Sequence, residues 1–464
     1  MKIEQIYTDC LAEAAYYIES NGEAAIIDPL RETKPYLDLI EENQVALKYI
    51  FETHFHADFV SGHVGLSKET GATIVYGPNA NTNYPVHVAK DTEVFKLGNI
   101  TIEVLHTPGH TFESSTYLLR NEKGEIHCIF SGDTLFIGDV GRPDLAIKTD
   151  YTREDLAAML FDSLRNRIMP LPDSTIVYPA HGAGSACGKN LSKEKFDTLG
   201  NQKKSNYALR ADMSKAEFVA EVLDGLAPAP QYFAKNAAMN QKGYNNIEEV
   251  LEQGTKKIGL AQFKDIIAQK DVLVLDTRTE QEFVQSHIPN SLFIGVNGGF
   301  APWVGTLIED INQKIALVCP VGKEEETVTR LARVGYDNCI GYLEGGFETW
   351  LVAQEDIGRV RTVDVKTFEE INPTIIADVR RQGEWNASHL VNATLLPLDN
   401  IQENYTEYPE TDDVFVHCAG GYRSVIACSI LMQKGKFNII NVEGGFTKIK
   451  ECNLEFTDPT PCSL

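Results

Sequence analysis

The sequence predicts an α/β protein made of three domains. At 464 residues the chain has the length of about three ordinary domains. Short apolar runs typical of strands alternate with helical patterns, and the second half contains a repeat of roughly 100 residues, which is too long for a solenoid unit. We therefore expect an N-terminal domain over 1–257 and two further domains over 258–358 and 360–464.

The N-terminal domain is expected to combine two sheets with helices. Helical patterns near 33–43, 60–70 and 152–168 interrupt the strand-like runs, so mixed α/β layering is the simplest arrangement. The strand-like runs cover 15–18, 24–27, 49–51, 73–76, 100–104, 115–119, 126–130 and 175–178. Residues 201–257 are amphipathic and helical, with Ser214 as the expected N-cap of a helix over 215–224.

The repeat is a duplicated domain. Asp276-Thr-Arg278 is echoed by Asp378-Val-Arg380, and Glu344-Gly-Gly-Phe347 is echoed by Glu443-Gly-Gly-Phe446. Each copy has apolar strands, at 272–275 and 315–318 in the first and at 374–377 and 414–417 in the second, each followed by a helical pattern. This alternation predicts a parallel α/β sheet in each copy. We expect the Asp-x-Arg residues to be buried structural pairs.

Composition excludes several functional classes. The formal net charge is −24 and there is no basic stripe, so no nucleic-acid partner is expected. No apolar run approaches the roughly 18 residues that a membrane helix needs, and the N-terminus has the pattern of a strand rather than of a signal peptide. Nine scattered cysteines without a CxxC pair suit a reducing compartment. We therefore expect a cytoplasmic protein without a membrane partner.

The run Thr53–His63 contains closely spaced metal-ligand residues. His54, His56 and Asp58 lie two apart after an apolar strand-like run, and in an extended segment they would share one side. A further ligand at the next position would suit a two-metal hydrolase, but that position holds Phe59. Because phenylalanine cannot bind a metal, the pattern disfavours a dinuclear hydrolytic centre.

Three more polar islands follow apolar strands. They are Thr107–Thr111 with His110, Ser131–Asp144 with Asp133 and Arg142, and Tyr178–Gly182 with His181. A single histidine is most often structural, but four islands next to glycine or proline are typical of ligands presented from loop tips by a rigid sheet. Together they predict a metal site.

Residues 1–245 resemble the metallo-β-lactamase superfamily through Thr-His-x-His-Ala-Asp, Thr-Pro-Gly-His-Thr, Gly-Asp-Thr-Leu, Gly-Arg-x-Asp and Tyr-Pro-Ala-His. Within it they resemble persulfide dioxygenases rather than glyoxalase II hydrolases. The resemblance implies an αββα sandwich with one Fe(II) per chain. It assigns the iron ligands to His54, His110 and Asp133, a surrounding or ligating role to His56, Asp58 and His181, and a place near the substrate to Arg142.

The residue types agree with this assignment. Two imidazoles and one carboxylate form the facial triad of non-heme Fe(II), which leaves coordination positions open. A glyoxalase II-like zinc thioester hydrolase is the alternative, since Phe59 weakens a two-metal site but not a single-zinc site. A third class, an inactive scaffold or sulfur-relay binding protein, would bind no metal and turn over no substrate.

A second motif, Cys418-Ala-Gly-Gly-Tyr-Arg-Ser424, lies between a predicted strand and a helix beginning near residue 425. A cysteine at a helix N-terminus is surrounded by backbone N–H groups that favour its thiolate, and Arg423 offers a fork for an oxyanion. The stretch resembles the rhodanese active-site loop, which implies sulfur transfer through Cys418. Substrate contacts are then expected from the other loop residues: Gly420, Gly421, Tyr422 and Ser424.

The first copy departs from this pattern. Cys319 occupies the place of Cys418, but Glu324, Glu325 and Glu326 follow it. Like charges would raise the thiol pKa and repel anionic sulfur donors. We expect a structural or docking role for this copy, with Cys319 as an accessory thiol.

Together these resemblances imply a fusion enzyme of persulfide catabolism. The first domain would oxidise a persulfide of glutathione, coenzyme A or a similar thiol with O₂, which gives sulfite and the free thiol. The last domain would transfer sulfane sulfur, with sulfite as an acceptor that gives thiosulfate. Sulfide detoxification is the implied role, and a homodimer or homotetramer is expected by analogy.

Overall fold

The computed structural model describes residues 1–145, 151–189, 191–226 and 228–457. It contains two compact units. The first comprises residues 1–249 with the segment 331–335, and the second comprises residues 250–330 and those from 336 onward. The predicted α/β class is confirmed in both.

Two six-stranded sheets form the centre of the first unit. The first sheet contains, in spatial order, β1 Lys2–Thr8, β2 Glu13–Ser20, β3 Glu23–Ile27, β4 Ala46–Glu52, β5 Thr73–Tyr76 and β6 His87–Val88. The second contains β12 Asp197–Thr198, β11 Ile176–Pro179, β10 Ile126–Gly132, β9 Ser115–Arg120, β8 Ile100–His106 and β7 Val94–Leu97. All the predicted strand-like runs fall within these strands, apart from Thr175 at the edge of one run.

Side chains alternate between the two faces of each sheet. Tyr16 and Ile18 of β2 enter a core shared with Tyr117 and Phe130 of the second sheet, whereas Tyr17 enters a separate core on the outer face. Period-two alternation of buried residues is what a sheet covered on both faces requires. The layers are therefore helix, sheet, sheet, helix.

Helices cover the outer faces and extend the first unit. They are α1 Lys34–Asn43, α2 His63–Thr70, α3 Arg153–Ser163, α4 Leu199–Ser205, α5 Lys215–Leu223 and α6 Phe233–Lys242, with a π-helical turn Leu164–Ile168 after α3 and a 3₁₀ turn Tyr207–Leu209. Helix α7 Ile247–Gly254 begins in the first unit and continues into the second. Ser214 forms a capping box with Glu217 at the start of α5, as the sequence predicts; such a cap contributes about 1 kcal/mol.

The second unit contains two parallel five-stranded sheets of identical strand order. The first has β13 Lys257–Ile258, β17 Cys339–Leu343, β16 Lys314–Val318, β14 Val272–Asp276 and β15 Leu292–Phe293; the second has β18 Thr362–Val363, β22 Ile439–Val442, β21 Val414–His417, β19 Ile376–Asp378 and β20 Ala393–Leu395. The common order confirms that the sequence repeat is a duplicated fold.

Short helices connect these strands. They are α8 Leu260–Ile267, α9 Glu280–Gln285, α10 Phe300–Leu307, α11 Glu324–Arg333 and α12 Gly346–Val352 in the first copy, and α13 Val365–Ile371, α14 Gln382–Ala387, α15 Ile401–Asn404, α16 Tyr422–Gln433 and α17 Gly445–Ile449 in the second, where 3₁₀ turns span Leu398–Asn400 and Tyr405–Glu407. No helix in the described ranges combines the length and apolar composition that crossing a bilayer requires.

The two repeated motifs meet in space within each copy. Arg278 forms a bidentate ion pair with Asp276 and lies 3.8 Å from the ring centre of Phe347. Arg380 repeats this with Asp378, 3.7 Å from the ring centre of Phe446. These buried pairs hold the end of the central strand against the Glu-Gly-Gly-Phe turn, so the expectation of a structural role is confirmed.

Candidate metal centre and Cys418 loop

The ligand-rich run after β4 is a bent loop rather than an extended strand. Strand β4 ends at Glu52, and residues 53–59 contain several bends. Period-two alternation requires an extended segment, which these bends do not provide, but the side chains still lie close together, with the ring centres of His54 and His56 4.2 Å apart. The loop directs His54, His56 and Asp58 into three adjoining buried clusters.

The first cluster consists of His54, His110 and Asp133, all buried. His110 follows β8, and Asp133 follows β10 directly. The Asp133 Oδ2 atom lies 3.4 Å from Nε2 of His110 and 4.0 Å from Nε2 of His54. Burial and the neighbouring histidines hold the pKa of His54 well below its usual value, which favours the neutral imidazole that binds metals.

Hydrogen bonds fix which nitrogen of each imidazole is free. Nδ1 of His110 donates to the carbonyl oxygen of Arg142 at 2.8 Å. Nδ1 of His54 lies 3.0 Å from the Thr53 hydroxyl, which itself donates to Asp28 and therefore accepts from the ring. Both Nε2 atoms keep their lone pairs for a metal, the second-sphere arrangement typical of histidine ligands.

The second cluster consists of Asp58, His181 and Cys187, whose ligand atoms all lie within 4.8 Å of one another. Nε2 of His181 is 3.4 Å from Oδ2 of Asp58 and 3.6 Å from Oδ1 of Asp133. Burial and the charges of Asp58 and Asp133 hold the pKa of the Cys187 thiol well above its usual value. Asp133 thus faces the first cluster with one oxygen and the second cluster with the other.

The third cluster surrounds His56. Its Nε2 atom lies 3.0 Å from Asp28 and 3.4 Å from Glu52. Burial alone would lower the pKa of His56, but the two carboxylates raise it well above its usual value. Nδ1 of His56 has no hydrogen-bond partner among the described residues, but the raised pKa favours the protonated ring, whose nitrogens have no lone pair for a metal.

Phe59 and His63 complete the surroundings of His56. The Phe59 ring is fully buried and stacks on His56 with ring centres 4.3 Å apart. Nδ1 of His63 lies 3.1 Å from Glu52. Burial alone would raise the pKa of Glu52, but His63 and His56 lower it to about 2. Phe59 therefore supports His56 by packing.

The donor atoms of these clusters fit a metal ion. Within the described ranges, both carboxylate oxygens of Asp133 and of Asp58 lack hydrogen-bond partners, as does Nε2 of His181. Buried carboxylates without partners are costly, and a cation bound between them removes that cost. His54, His110 and Asp133 would hold the ion predicted from the sequence.

Arg142 is buried beside the first cluster. Its guanidinium donates to Asp144 at 2.6 and 2.7 Å, and its backbone N–H donates to the carbonyl of Cys187. Its carbonyl also orients His110, as described above. Arg142 thus connects the loop after β10 to both clusters, and its predicted role near the substrate stays a prediction.

The loop that contains Cys418 connects β21 to the N-terminus of α16. Cys418 is 1 % exposed, and the N–H of Gly421 lies 3.1 Å from its sulfur. Gly421 has φ of +106°, a conformation that favours glycine. Ser424 lies 3.7 Å from the Cys418 sulfur and donates to Asn441, whereas Gly420 faces open space. The loop therefore places the thiol at the positive end of a twelve-residue helix.

Two side chains of this loop are engaged elsewhere. Arg423 donates to Glu384 at 2.6 and 2.7 Å, so its fork is occupied by a carboxylate of the same domain. The Tyr422 hydroxyl donates to the carbonyl of Gly295 in the first copy at 2.9 Å. An oxyanion contact by Arg423 requires it to release Glu384.

The Cys319 loop has a different environment. Burial, with a smaller effect of Glu324, raises the pKa of Cys319 to about 12. The direction agrees with the prediction, but burial rather than the glutamates is the main cause. Glu324, Glu325 and Glu326 occupy the first turn of α11, where acidic side chains stabilise a helix.

Sequence reasoning missed four polar residues of these sites, namely Asp28, Glu52, Cys187 and Glu384. Asp28 directly follows β3, and Glu52 is the last residue of β4. A polar residue at the end of an apolar strand could have indicated both of them as site residues. Cys187 lies six residues after His181 in a loop, and Glu384 lies inside the repeated segment, where it resembles a helix-capping residue.

Comparison with known proteins matches both parts of the chain. The Metallo-beta-lactamase superfamily model matches residues 8–181, and the Rhodanese-like domain model matches residues 259–353 and 364–452. A metallo-beta-lactamase from Staphylococcus aureus subsp. aureus COL is 30% identical, with a TM-score of 0.65, and the match covers 74% of this chain and 98% of that one.

Two other similarities concern the N-terminal part. A probable hydroxyacylglutathione hydrolase of Schizosaccharomyces pombe is 34% identical over 166 residues, which cover 35% of this chain and 60% of that protein. The chain therefore spans less than two thirds of that relative. ETHE1 from Myxococcus xanthus is 28% identical with a TM-score of 0.45, and the match covers 52% of this chain and 98% of that one.

Proposed function

The chain belongs to the metallo-β-lactamase superfamily and continues into two rhodanese-like domains, and we propose that it oxidises the persulfide of a low-molecular-weight thiol with O₂ at an Fe(II) centre. The products are sulfite and the free thiol. The second rhodanese-like domain transfers sulfane sulfur through Cys418. The physiological role is removal of sulfide-derived persulfides.

One observation carries this proposal. His54, His110 and Asp133 bring two imidazole nitrogens and one carboxylate together in a buried cluster. This donor set suits non-heme Fe(II) and leaves coordination positions open. Phe59 removes one ligand that a dinuclear hydrolase would use.

The reaction balances as R–S–SH + O₂ + H₂O → R–SH + SO₃²⁻ + 2 H⁺. The terminal sulfur is oxidised, O₂ is reduced, and the S–S bond breaks with both electrons going to the thiol sulfur. When bound, iron supplies redox chemistry and open positions for O₂ and the persulfide. Arg142 and Thr53 keep the imidazoles in the metal-binding tautomer through the hydrogen bonds at their Nδ1 atoms.

The rhodanese-like domain uses the sulfite. The Cys418 thiolate attacks the terminal sulfur of a persulfide and releases the thiol. Sulfite then attacks the outer sulfur of the Cys418 persulfide, which gives thiosulfate and restores the thiolate. The Gly421 N–H at 3.1 Å and the N-terminus of α16 stabilise negative charge at this sulfur.

A zinc thioester hydrolase is the second candidate function. It is favoured by the relatives named as hydroxyacylglutathione hydrolases, which match the part of the chain that holds the metal cluster. In that reaction the metal activates water rather than O₂. The same three residues would hold the ion in both reactions. The two functions therefore differ in the identity of the metal and in the requirement for O₂.

The metal content of anaerobically purified full-length protein, together with O₂ uptake, tests the proposal. We expect about one iron per chain and sulfite release with glutathione persulfide. Zinc with thioester hydrolysis would favour the second candidate, and no metal with no turnover would indicate a scaffold.

His110→Ala should lose iron and O₂ uptake together. His87→Ala provides the control, because His87 is an exposed histidine paired with Glu93 on the surface. Equal loss in both variants would contradict the assignment of His110 as a ligand.

A further inference from the structure

Two asparagines occupy one buried face of α6. Asn236 and Asn240 lie four residues apart, so they share a face of the helix, and both are fully buried. Asparagine has a low helix propensity and is mostly exposed in proteins, so neither helix formation nor apolar packing accounts for them. The side chain of Asn240, in the last turn of α6, reaches the loop that carries His54, His56 and Asp58.

The Asn240 amide makes three hydrogen bonds to backbone groups of this loop. Its Nδ2 atom donates to the carbonyl oxygens of His56 and Phe59, both at 2.8 Å. Its Oδ1 atom accepts from the N–H of Ser61 at 2.9 Å. An asparagine side chain offers two N–H donors and one carbonyl acceptor, so both donors and the acceptor of Asn240 are in use.

The loop needs such a partner because it is buried and irregular. Residues 53–60 form neither a helix nor a strand, and residues 56–61 are all buried. Buried backbone groups outside helices and sheets have to find other hydrogen-bond partners. Asn240 supplies the partner for two carbonyls and one N–H of this segment.

These contacts fix the place of Asp58. The two carbonyls bound to Nδ2 belong to the residues that flank Ala57 and Asp58, so one amide closes the bend that contains Asp58. The Oδ2 atom of Asp58 lies 3.4 Å from Nε2 of His181, which is 3.6 Å from Oδ1 of Asp133. The bend therefore holds this part of the loop beside Asp133.

Other hydrogen bonds hold the end of α6 itself. The Asn240 carbonyl accepts from the Tyr84 hydroxyl, whose oxygen lies 2.6 Å from Nε2 of His63. The Tyr244 hydroxyl donates to the Ser61 carbonyl, so Ser61 is bound at both its N–H and its carbonyl. Asn240 is thus held in a fixed frame, which is what a residue that positions a functional loop requires.

We propose that Asn240 is a positioning residue for the metal centre, because its amide holds the chain directly after the ligand His54 in its bent course. Helix α6 then contributes to the metal site although it supplies no ligand. The inference rests on the metal centre of the proposed function, which the dioxygenase and the hydrolase have in common. It does not depend on which of the two reactions occurs there.

Co²⁺ binding to the full-length, chelator-stripped chain tests this inference. Co²⁺ replaces iron or zinc, and its visible absorption bands report the geometry of its ligands. Asn240→Ala should bind Co²⁺ about tenfold more weakly and with altered bands, since residues that orient metal ligands typically contribute about 10- to 100-fold in affinity. Asn240→Asp keeps the size and the acceptor of the side chain but lacks its two donors, and it should show the same loss.

Asn236→Ala is the matched control, because it removes the same amide from the same face of α6 one turn earlier. The Asn236 amide has no hydrogen-bond partner among the described residues, so its removal should leave the Co²⁺ affinity and bands unchanged. Unchanged Co²⁺ affinity in Asn240→Ala or Asn240→Asp, or an equal loss in Asn236→Ala, would overturn the proposal.

Amide hydrogen exchange of the metal-free chain separates a displaced loop from a misfolded domain. In both Asn240 variants, residues 56–61 should exchange faster, while β9 and β10 keep the protection that they have in the unsubstituted chain. Lost protection of β9 and β10 in both variants would contradict the proposal, because the amide would then support the whole domain rather than the loop.

The proposed function can fail separately. A chain without O₂ uptake from glutathione persulfide would contradict the dioxygenase, whereas weaker Co²⁺ binding by Asn240→Ala would still support the role of Asn240. Normal O₂ uptake with equal Co²⁺ affinity in all variants would contradict only the role of Asn240. An unsubstituted chain that binds no Co²⁺ would overturn this role together with the metal centre.

Discussion

Arg423 donates hydrogen bonds from both terminal nitrogens of its guanidinium to Glu384. An anionic substrate must therefore compete with this carboxylate for Arg423. The ion pair, against the effect of burial, lowers the pKa of Glu384. Glu384→Gln removes the charge and one of the two acceptor oxygens, which weakens the hold on Arg423 and favours its contact with an anionic donor. We expect the KM for thiosulfate in sulfur transfer to fall about threefold to tenfold, which corresponds to about 1 kcal/mol.

The control for this prediction lies in the first copy. Glu282 occupies the matching position, where it accepts hydrogen bonds from Thr279 in a capping box. Glu282→Gln should leave the KM for thiosulfate unchanged. A rise in KM for Glu384→Gln would mean that Glu384 positions Arg423 productively, contrary to the expectation.

Individual residues also mark the limit of prediction from sequence. The proximity of His54, His110 and Asp133 was predictable, because each of them follows an apolar strand and lies in a recognisable motif. The proximity of Cys187 to Asp58 was not, because they are far apart in the chain and meet only when loops from both sheets pack together. Likewise, nothing in the sequence around Arg423 indicates that Glu384 occupies its fork.

At the scale of elements, the loop 295–299 of the first copy contacts the Cys418 loop of the second through Tyr422. Tyr422 donates to Gly295, and its ring lies 5.8 Å from Phe293, centre to centre. A Cβ atom on Gly298 would lie 2.7 Å from Tyr422 Cζ. Gly298→Ala must therefore displace the Tyr422 ring at the start of α16, four residues after Cys418. We expect sulfurtransferase kcat to fall about tenfold, since small displacements of catalytic groups are costly.

Gly299→Ala is the matched control for this substitution. It adds the same methyl group one residue later, where the nearest side-chain atom, in Trp303, is at an ordinary contact distance of 3.5 Å. Its activity in a thiosulfate-to-cyanide assay should equal that of the unsubstituted chain. Equal activities of the two variants would show that the contact with Tyr422 does not position the loop.

Elements were more predictable than the loops between them. Apolar runs located the strands because two-sided burial demands continuous apolar residues, and the capping box at Ser214 marked the start of α5. The bent course of residues 53–59 was not predictable, because spacing of two in a short polar run does not reveal that β4 has already ended. The Tyr422 contact depends on packing between two copies of one fold and has no local signal.

At the scale of the molecule, duplication leaves one copy with a Cys418 loop at a helix N-terminus and the other with Cys319, whose pKa is raised to about 12. Only Cys418 should therefore form the persulfide that sulfite attacks. In the full-length chain supplied with glutathione persulfide and O₂, Cys418→Ser should shift the product from thiosulfate to sulfite. Its O₂ uptake should stay within about twofold of the unsubstituted rate, because the substitution lies outside the metal clusters.

Cys319→Ser is the paired measurement, and it should release the same thiosulfate fraction as the unsubstituted chain. Quantifying sulfite and thiosulfate against O₂ consumed separates the two activities within one reaction. Thiosulfate that persists in Cys418→Ser and disappears in Cys319→Ser would reverse the roles of the two copies. Loss of O₂ uptake in Cys418→Ser would instead mean that the oxidation depends on the transfer step, since Cys418 contributes no atom to the metal clusters.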